Sequence, residues 1–118
     1  MAKISSVTFV GASGKQYNFN VYPITEECPN ESGIYIFSKR VQVNNTFTHT
    51  PIYIGKAQSF QNRFYNHHKD DCIDRNGANC ICLMQVAIEK ERDAAEKDLL
   101  ANYNTKCNVA NNTTPKAA

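Results

Sequence analysis

Two short apolar runs, Gly33 to Phe37 and Pro51 to Gly55, each carry one tyrosine and one glycine. The first opens Gly33-Ile34-Tyr35 and the second closes Tyr53-Ile54-Gly55. Isoleucine, tyrosine and phenylalanine suit a half-buried pleated surface, so each run reads as a strand. The intervening stretch, Ser38 to Thr50, is polar, and Asn44-Asn45 is its turn signal. The pair therefore reads as two strands of one sheet joined by an irregular arm. Such a pair needs other elements to cover it, and those must come from the flanking sequence.

At 118 residues the chain has room for one core. The expectation is a single domain over residues 1–110 and a flexible tail over 111–118, where alanine is the one core former. A hydrophobic content of 42% and a charged content of 20% are those of an ordinary globular chain. The formal charge of +2 is compatible with nucleic-acid binding but does not demand it, so any phosphate-binding surface must be local. No window reaches the apolar length of a membrane span, and Met1 to Ser6 lacks the apolar core of a secretion signal. Cytoplasm is the expected compartment, with no membrane partner. Five cysteines, an odd number, then read as free thiols rather than a disulfide framework.

Val7 to Val10 and Tyr17 to Tyr22 flank Gly11-Ala12-Ser13-Gly14-Lys15. Tyr17, Phe19 and Val21 alternate with Asn18, Asn20 and Tyr22, which predicts a hairpin. The glycine-rich turn lacks full phosphate-loop spacing and no helix pattern follows it. Pro23 to Ser32 reads as a connecting loop. Phe60 and Phe64, four apart, predict a helix over Gln58–His68, with Ser59 at its start and Arg63 and His67 sharing a face. Lys69 to Asn79 is polar and ends in the Asn76-Gly77 turn signal. Ile81 to Ile88 is apolar on both sides and predicts a central strand covered on both faces. Glu89 to Tyr103 predicts a second helix, with Ala95, Leu99 and Tyr103 in one stripe and Leu100 beside it.

Tyrosine, arginine, histidine and a carboxylate can together support phosphodiester cleavage. A planar guanidinium matches two phosphate oxygens and keeps its charge. A single carboxylate can hold a Mg²⁺ whose other positions are filled by phosphate and water. A tyrosine or histidine can relay the proton of an attacking water. Composition alone does not single these residues out.

Their order does. The two tyrosine tripeptides, Arg63 after Lys56-Ala57-Gln58-Ser59, Glu96 followed by Leu99-Leu100, and then Asn108 resemble the GIY-YIG nuclease family over roughly Gly33 to Asn108. The resemblance implies an α/β (α+β) fold, a small antiparallel sheet flanked by helices, here with an added N-terminal β-hairpin. It implies a divalent-metal-dependent endonuclease that hydrolyses DNA phosphodiester bonds, with Mg²⁺ or Mn²⁺ on Glu96. Tyr35 would activate the attacking water and Tyr53 would set its hydroxyl at the phosphate or water. Arg63 would clamp developing charge, and His67, matching a histidine of several branches, would orient water, tune Tyr35 or contact a phosphate. Lys56 would bind backbone phosphate, Asn108 would clamp backbone near Glu96 or contact a phosphate, and Gly33 and Gly55 would permit close backbone passage. Many family members carry extra DNA-binding domains, for which this chain has no room. A homodimer or a larger assembly would then supply target choice, and repair, homing and restriction are equally open.

Each residue has a plainer reading. Tyr35 and Tyr53 can be half-buried strand tyrosines, Arg63 a solvated or salt-bridged helix arginine, Lys56 a loop lysine, and Asn108 a helix-end or turn residue. Glu89, Glu91, Asp93 and Asp98 read as helix-start or solvated charges. His67 or His68 with Cys72, Cys80 and Cys82 could in number bind zinc, but the spacing is poor. The second functional reading is a non-catalytic nucleic-acid-binding or accessory module on the same scaffold.

Overall fold

The computed structural model describes residues 3–24, 28–65 and 70–108. It is a mixed α+β domain. The strands are β1 (Ser5–Val10), β2 (Gln16–Pro23), β3 (Gly33–Val43), β4 (Thr46–Ala57) and β5 (Cys80–Gln85). The helices are α1 (Phe60–Tyr65), α2 (Asp70–Arg75) and α3 (Glu89–Asn102). The sheet is antiparallel with strand order β1-β2-β5-β3-β4.

β5 takes the middle of that order because its sequence is apolar on both sides. Cys80 and Cys82 face the layer of α3, and Ile81 and Leu83 face the other layer. The strand ends at Gln85, short of the Ile88 suggested by the apolar run. Past it, the Val86 N–H still donates to the Ser32 carbonyl, one position beyond the Gly33↔Gln85 pair.

Two cores result, one on each face. α3 lays Ala95 and Leu99 against Phe9, Phe19, Val21, Ile34, Ile36 and Ile54. The opposite core gathers Tyr35, Phe37, Tyr53, Phe60, Ile73 and Leu83. Strand alternation splits each tripeptide between them: its isoleucine enters the first core and its tyrosine the second.

The expected N-terminal hairpin is β1–β2. Its turn carries Gly14 at a φ of 90°, a left-handed conformation that suits glycine. The hairpin is also fastened to α3. Asp98 accepts hydrogen bonds from the Ser13 N–H, the Ser13 hydroxyl and the Tyr17 hydroxyl. This corrects the reading of Asp98 as a helix-start or solvated charge. Its carboxyl is held below the usual range mainly by the Ser13 hydroxyl, and then by the Ser13 N–H and the Tyr17 hydroxyl. Burial, with help from Asp98, pushes the Tyr17 phenol up to about 12.

Three further expectations change. The stretch from Ser38 to Thr50 is a regular two-stranded ribbon rather than an irregular arm. Its pairs run from Lys39↔Thr50 to Val43↔Thr46 around an Asn44 at a φ of 59°. Asparagine tolerates that conformation, so the ladder closes without glycine. The polar stretch before Asn76-Gly77 contains α2, which the buried Ile73 pins to the second core. Cys72 and Cys107 are joined in a disulfide, against the expectation of five free thiols; Cys28, Cys80 and Cys82 remain free. The pair was hidden because its sequence separation is 35, and only the folded chain brings α2 to the segment after α3. Bonded to Cys107, Cys72 also drops out of the zinc alternative. No described helix is long and apolar enough to cross a membrane.

Candidate active site

The site is built outward from the pairing of β3 with β4. Tyr35 stands directly opposite Gly55, and Phe37 opposite Tyr53. A Cβ on Gly55 would fall inside the Tyr35 ring, so glycine is the residue that leaves room for that ring. This accounts for the crossed order of the two tripeptides: the tyrosine of one lies over the glycine of the other. Gly33 serves a similar purpose against β5 and α1. A Cβ there would strike the Met84 carbonyl and the Phe60 ring.

Tyr35 has no exposed surface, and Tyr53 keeps 7%. Their ring centroids are 5.9 Å apart, and Phe60 from α1 meets the edge or face of Tyr35 at 6.5 Å. Ser59 caps α1: its hydroxyl accepts from the Asn62 N–H at 3.3 Å, as its place before Phe60 suggested. Arg63 lies within α1. His67 and His68, and the last turn of the helix expected to run to His68, lie outside the described residues.

Glu96 reaches the same edge of the sheet from the opposite layer. It lies on α3 with its side chain 21% exposed, and its Oε1 is 3.9 Å from the Lys56 ammonium. Lys56 follows Gly55 on β4, so this pair joins the helix to the tripeptide strand. The ammonium itself hydrogen-bonds to Asp93, a turn before Glu96. That bond holds the Lys56 pKa up, with Glu96 adding to it, and holds the Asp93 carboxyl down. The lysine therefore hydrogen-bonds to Asp93 and makes a longer ion pair with Glu96.

Asn108 has a different setting from a surface contact. It is buried, and its side-chain amide forms a two-point clamp on Ile54. The Ile54 N–H donates to Oδ1 at 2.7 Å, and Nδ2 donates to the Ile54 carbonyl at 3.0 Å. β4 is an edge strand, and the Ile54 polar groups point away from β3. Asn108 thus stands in for one residue of a missing neighbour strand. Thr105 donates its hydroxyl to the same Oδ1, which fixes the amide orientation. Cys107, in the disulfide, is the preceding residue.

Sequence reasoning passed over Asp93 and Arg92. Asp93 looked like one more helix-start acid, and its link to Lys56 depends on how α3 crosses β4. Arg92 is buried, and its guanidinium donates to the carbonyls of Val86 and Ala87, which locks the entry into α3. A charged residue in the first turn of a helix gives no sequence signal of this kind.

The described arrangement is a sheet edge where two neighbouring tyrosines with tilted rings, a lysine and a partly exposed glutamate lie on or beside one backbone segment, clamped from outside by an asparagine. Among the described residues no three His, Cys, Asp or Glu side chains converge as a metal cluster. A divalent ion here would rest on one carboxylate.

No family model matches this chain, and no curated protein does. Two solved structures are similar to it, both of the GIY-YIG N-terminal endonuclease domain of UvrC from Thermotoga maritima. They are tyrosine-to-phenylalanine point mutants described as bound to the catalytic divalent cation. The identities are 28% and 26%, and each TM-score is 0.49. Each match covers 68% of this chain and 84% of the other.

Proposed function

We propose that the protein is a divalent-metal-dependent endonuclease acting on DNA phosphodiester bonds. The observation that carries this reading is the meeting, at one sheet edge, of the interleaved tyrosine tripeptides with Lys56 and Glu96. Glu96 fits a Mg²⁺ or Mn²⁺ ion because its carboxylate is partly exposed at this edge. Substrate phosphate and water would complete the shell. Bound there, the ion would polarise the phosphate and ease departure of the leaving oxygen.

The chain's own groups have separate tasks. Lys56 supplies positive charge beside the carboxylate, suited to a non-bridging phosphate oxygen. Arg63 is assigned the developing charge of the transition state, and His67 the orientation of water. Tyr35 is assigned the activation of that water. Because Tyr35 is enclosed, the proton of that water would reach it through a neighbour, and Tyr53 is the tyrosine beside it on that face. Asn108 acts as a positioning residue, holding the segment that carries Tyr53 and Gly55.

The test is a cleavage screen over duplex, single-stranded, flapped and branched DNA, with and without Mg²⁺ or Mn²⁺. Wild type is expected to cut only with the ion. Glu96→Ala is expected to abolish cutting and to keep the wild-type circular dichroism spectrum. Metal-independent cutting, or cutting by Glu96→Ala, would refute the reading. Binding without turnover would leave the accessory-module alternative in its place.

A further inference from the structure

The β3–β4 ribbon extends past the rest of the sheet. The last residue of β3 that pairs with β5 is Ser38, opposite Cys80. Beyond it, Lys39 to Val43 pair with β4 alone, a projection of roughly 17 Å at strand rise. Its root is fixed from the residue before β5: the Asn79 side chain accepts from the Arg40 N–H at 2.8 Å and donates to the Arg40 carbonyl at 3.0 Å. From Val41 to Thr48 every residue is exposed.

Charge distinguishes this ribbon from an ordinary hairpin. From Ser32 to Lys69 the sequence has no aspartate or glutamate, against five lysines and arginines. The rest of the chain holds eight lysines and arginines and eleven acids, so the net charge of +2 conceals a division into +5 and −3. The ribbon itself offers Lys39, Arg40, Gln42, Asn45 and a row of threonines. Thr46, Thr48 and Thr50 lie opposite Val43, Val41 and Lys39, on the face that continues from Tyr35 and Phe37. On the other face the Arg40 guanidinium lies 3.7 Å from the centroid of the exposed Phe47 ring. That stacking holds the cation out along the ribbon.

We infer that the ribbon is a DNA-binding arm that grips duplex DNA beside the candidate site. A two-stranded ribbon fits the major groove of B-form DNA, which is about 12 Å wide. The deep, narrow major groove of an A-form RNA duplex does not admit it. Lys39 and Arg40, at the root, meet the phosphates, and the amide and threonine side chains further out face the groove. The inference rests on the nuclease reading for its substrate and adds the means of holding it.

The experiment is fluorescence anisotropy in EDTA, with a labelled B-form duplex titrated over a range of salt. The proteins are wild type, Lys39→Ala/Arg40→Ala and Gln42→Glu, the last a near-isosteric change that puts a carboxylate on the ribbon. Loss of two phosphate contacts lowers the slope of log affinity against log salt by about 2. Gln42→Glu weakens binding with its melting temperature unchanged. A Lys3→Ala/Lys15→Ala control removes the same charge from residues outside the ribbon, before β1 and in the β1–β2 turn, and keeps the wild-type slope. Unchanged affinity and slope in both ribbon variants would overturn the inference, as would tighter wild-type binding to an RNA duplex. So would ribbon variants that alter only self-association in sedimentation, since the ribbon would then join copies of this chain. Cleavage plays no part in the readout. If wild type binds through the ribbon but never cuts, the nuclease reading fails and the arm stands.

Discussion

Asn108 holds both backbone polar groups of Ile54, 54 residues away in sequence, and so completes the outer edge of the strand that carries Tyr53 and Gly55. Asn108→Ala leaves a buried N–H and a buried carbonyl unpaired, at a cost of about 2–5 kcal/mol. Asn108→Asp keeps an acceptor for the N–H but sets a carboxylate against the carbonyl, and is expected to be destabilising as well. Urea unfolding of the two variants reads both effects; a change below about 0.5 kcal/mol in each would contradict the clamp.

Tyr35 and Gly55 make a second prediction. Gly55→Ala drives a methyl into the Tyr35 ring, and overpacking of this kind costs roughly 1–3 kcal/mol. The ring must shift, so DNA cleavage is expected to fall more than stability does. In the double variant Gly55→Ala/Tyr35→Phe the clash with the ring remains, so stability should not recover. Full stability and activity in Gly55→Ala would show that the close approach is not needed.

The Cys72–Cys107 disulfide closes a long loop and ties α2 to the residue before Asn108. Chain-entropy reasoning gives it about 3–4 kcal/mol. Cys107→Ser, or reduction by dithiothreitol, should lower the melting temperature on the order of 10 °C. Mass spectrometry of the protein alkylated in denaturant without reductant should find three modified cysteines, namely Cys28, Cys80 and Cys82.

Stability should fall at both ends of the pH scale for identifiable reasons. Asp98 has a folded pKa below its unfolded value, so its contribution is present at neutral pH and is lost as pH drops through the folded value. The His49 imidazole is also held below its usual value, first by burial and then by Arg40. Its neutral form is preferred in the fold, and stability declines as pH falls below the ordinary histidine range. Tyr17, at about 12, acts in the opposite direction: stability is kept below the ordinary phenol value of 10.0 and declines as pH rises from there toward 12. Asp98→Asn should flatten the acid limb, and Tyr17→Phe the alkaline limb, of melting temperature plotted against pH.

Strand alternation made most of the sheet legible in sequence. Tyr17, Phe19 and Val21 marked β2, and the two-sided apolar run around Ile81 marked the middle strand. Ala95 and Leu99 placed the buried stripe of α3. The ribbon from Lys39 to Thr50 was read as irregular because both of its faces meet solvent, which removes the apolar alternation that identifies a half-buried strand. α2 was missed because six residues with one buried isoleucine carry too little periodicity. The nearness of Glu96 to Lys56 was suggested by resemblance alone. The bond from Lys56 to Asp93 and the hold of Asn108 on Ile54 follow from helix placement across the sheet, which local pattern does not encode.

The strand order has one more consequence. β5, with apolar residues on both faces, is kept from being an open edge by β2 on one side and β3 on the other. A chain shortened to begin at Pro23 would lose β1 and almost all of β2, and would bare the N–H and carbonyl row of Cys80 to Leu83 to any passing strand. The expected failure of such a truncation is insolubility rather than simple loss of stability. The N-terminal hairpin, outside the tyrosine tripeptides in sequence, thus guards the chain against aggregation.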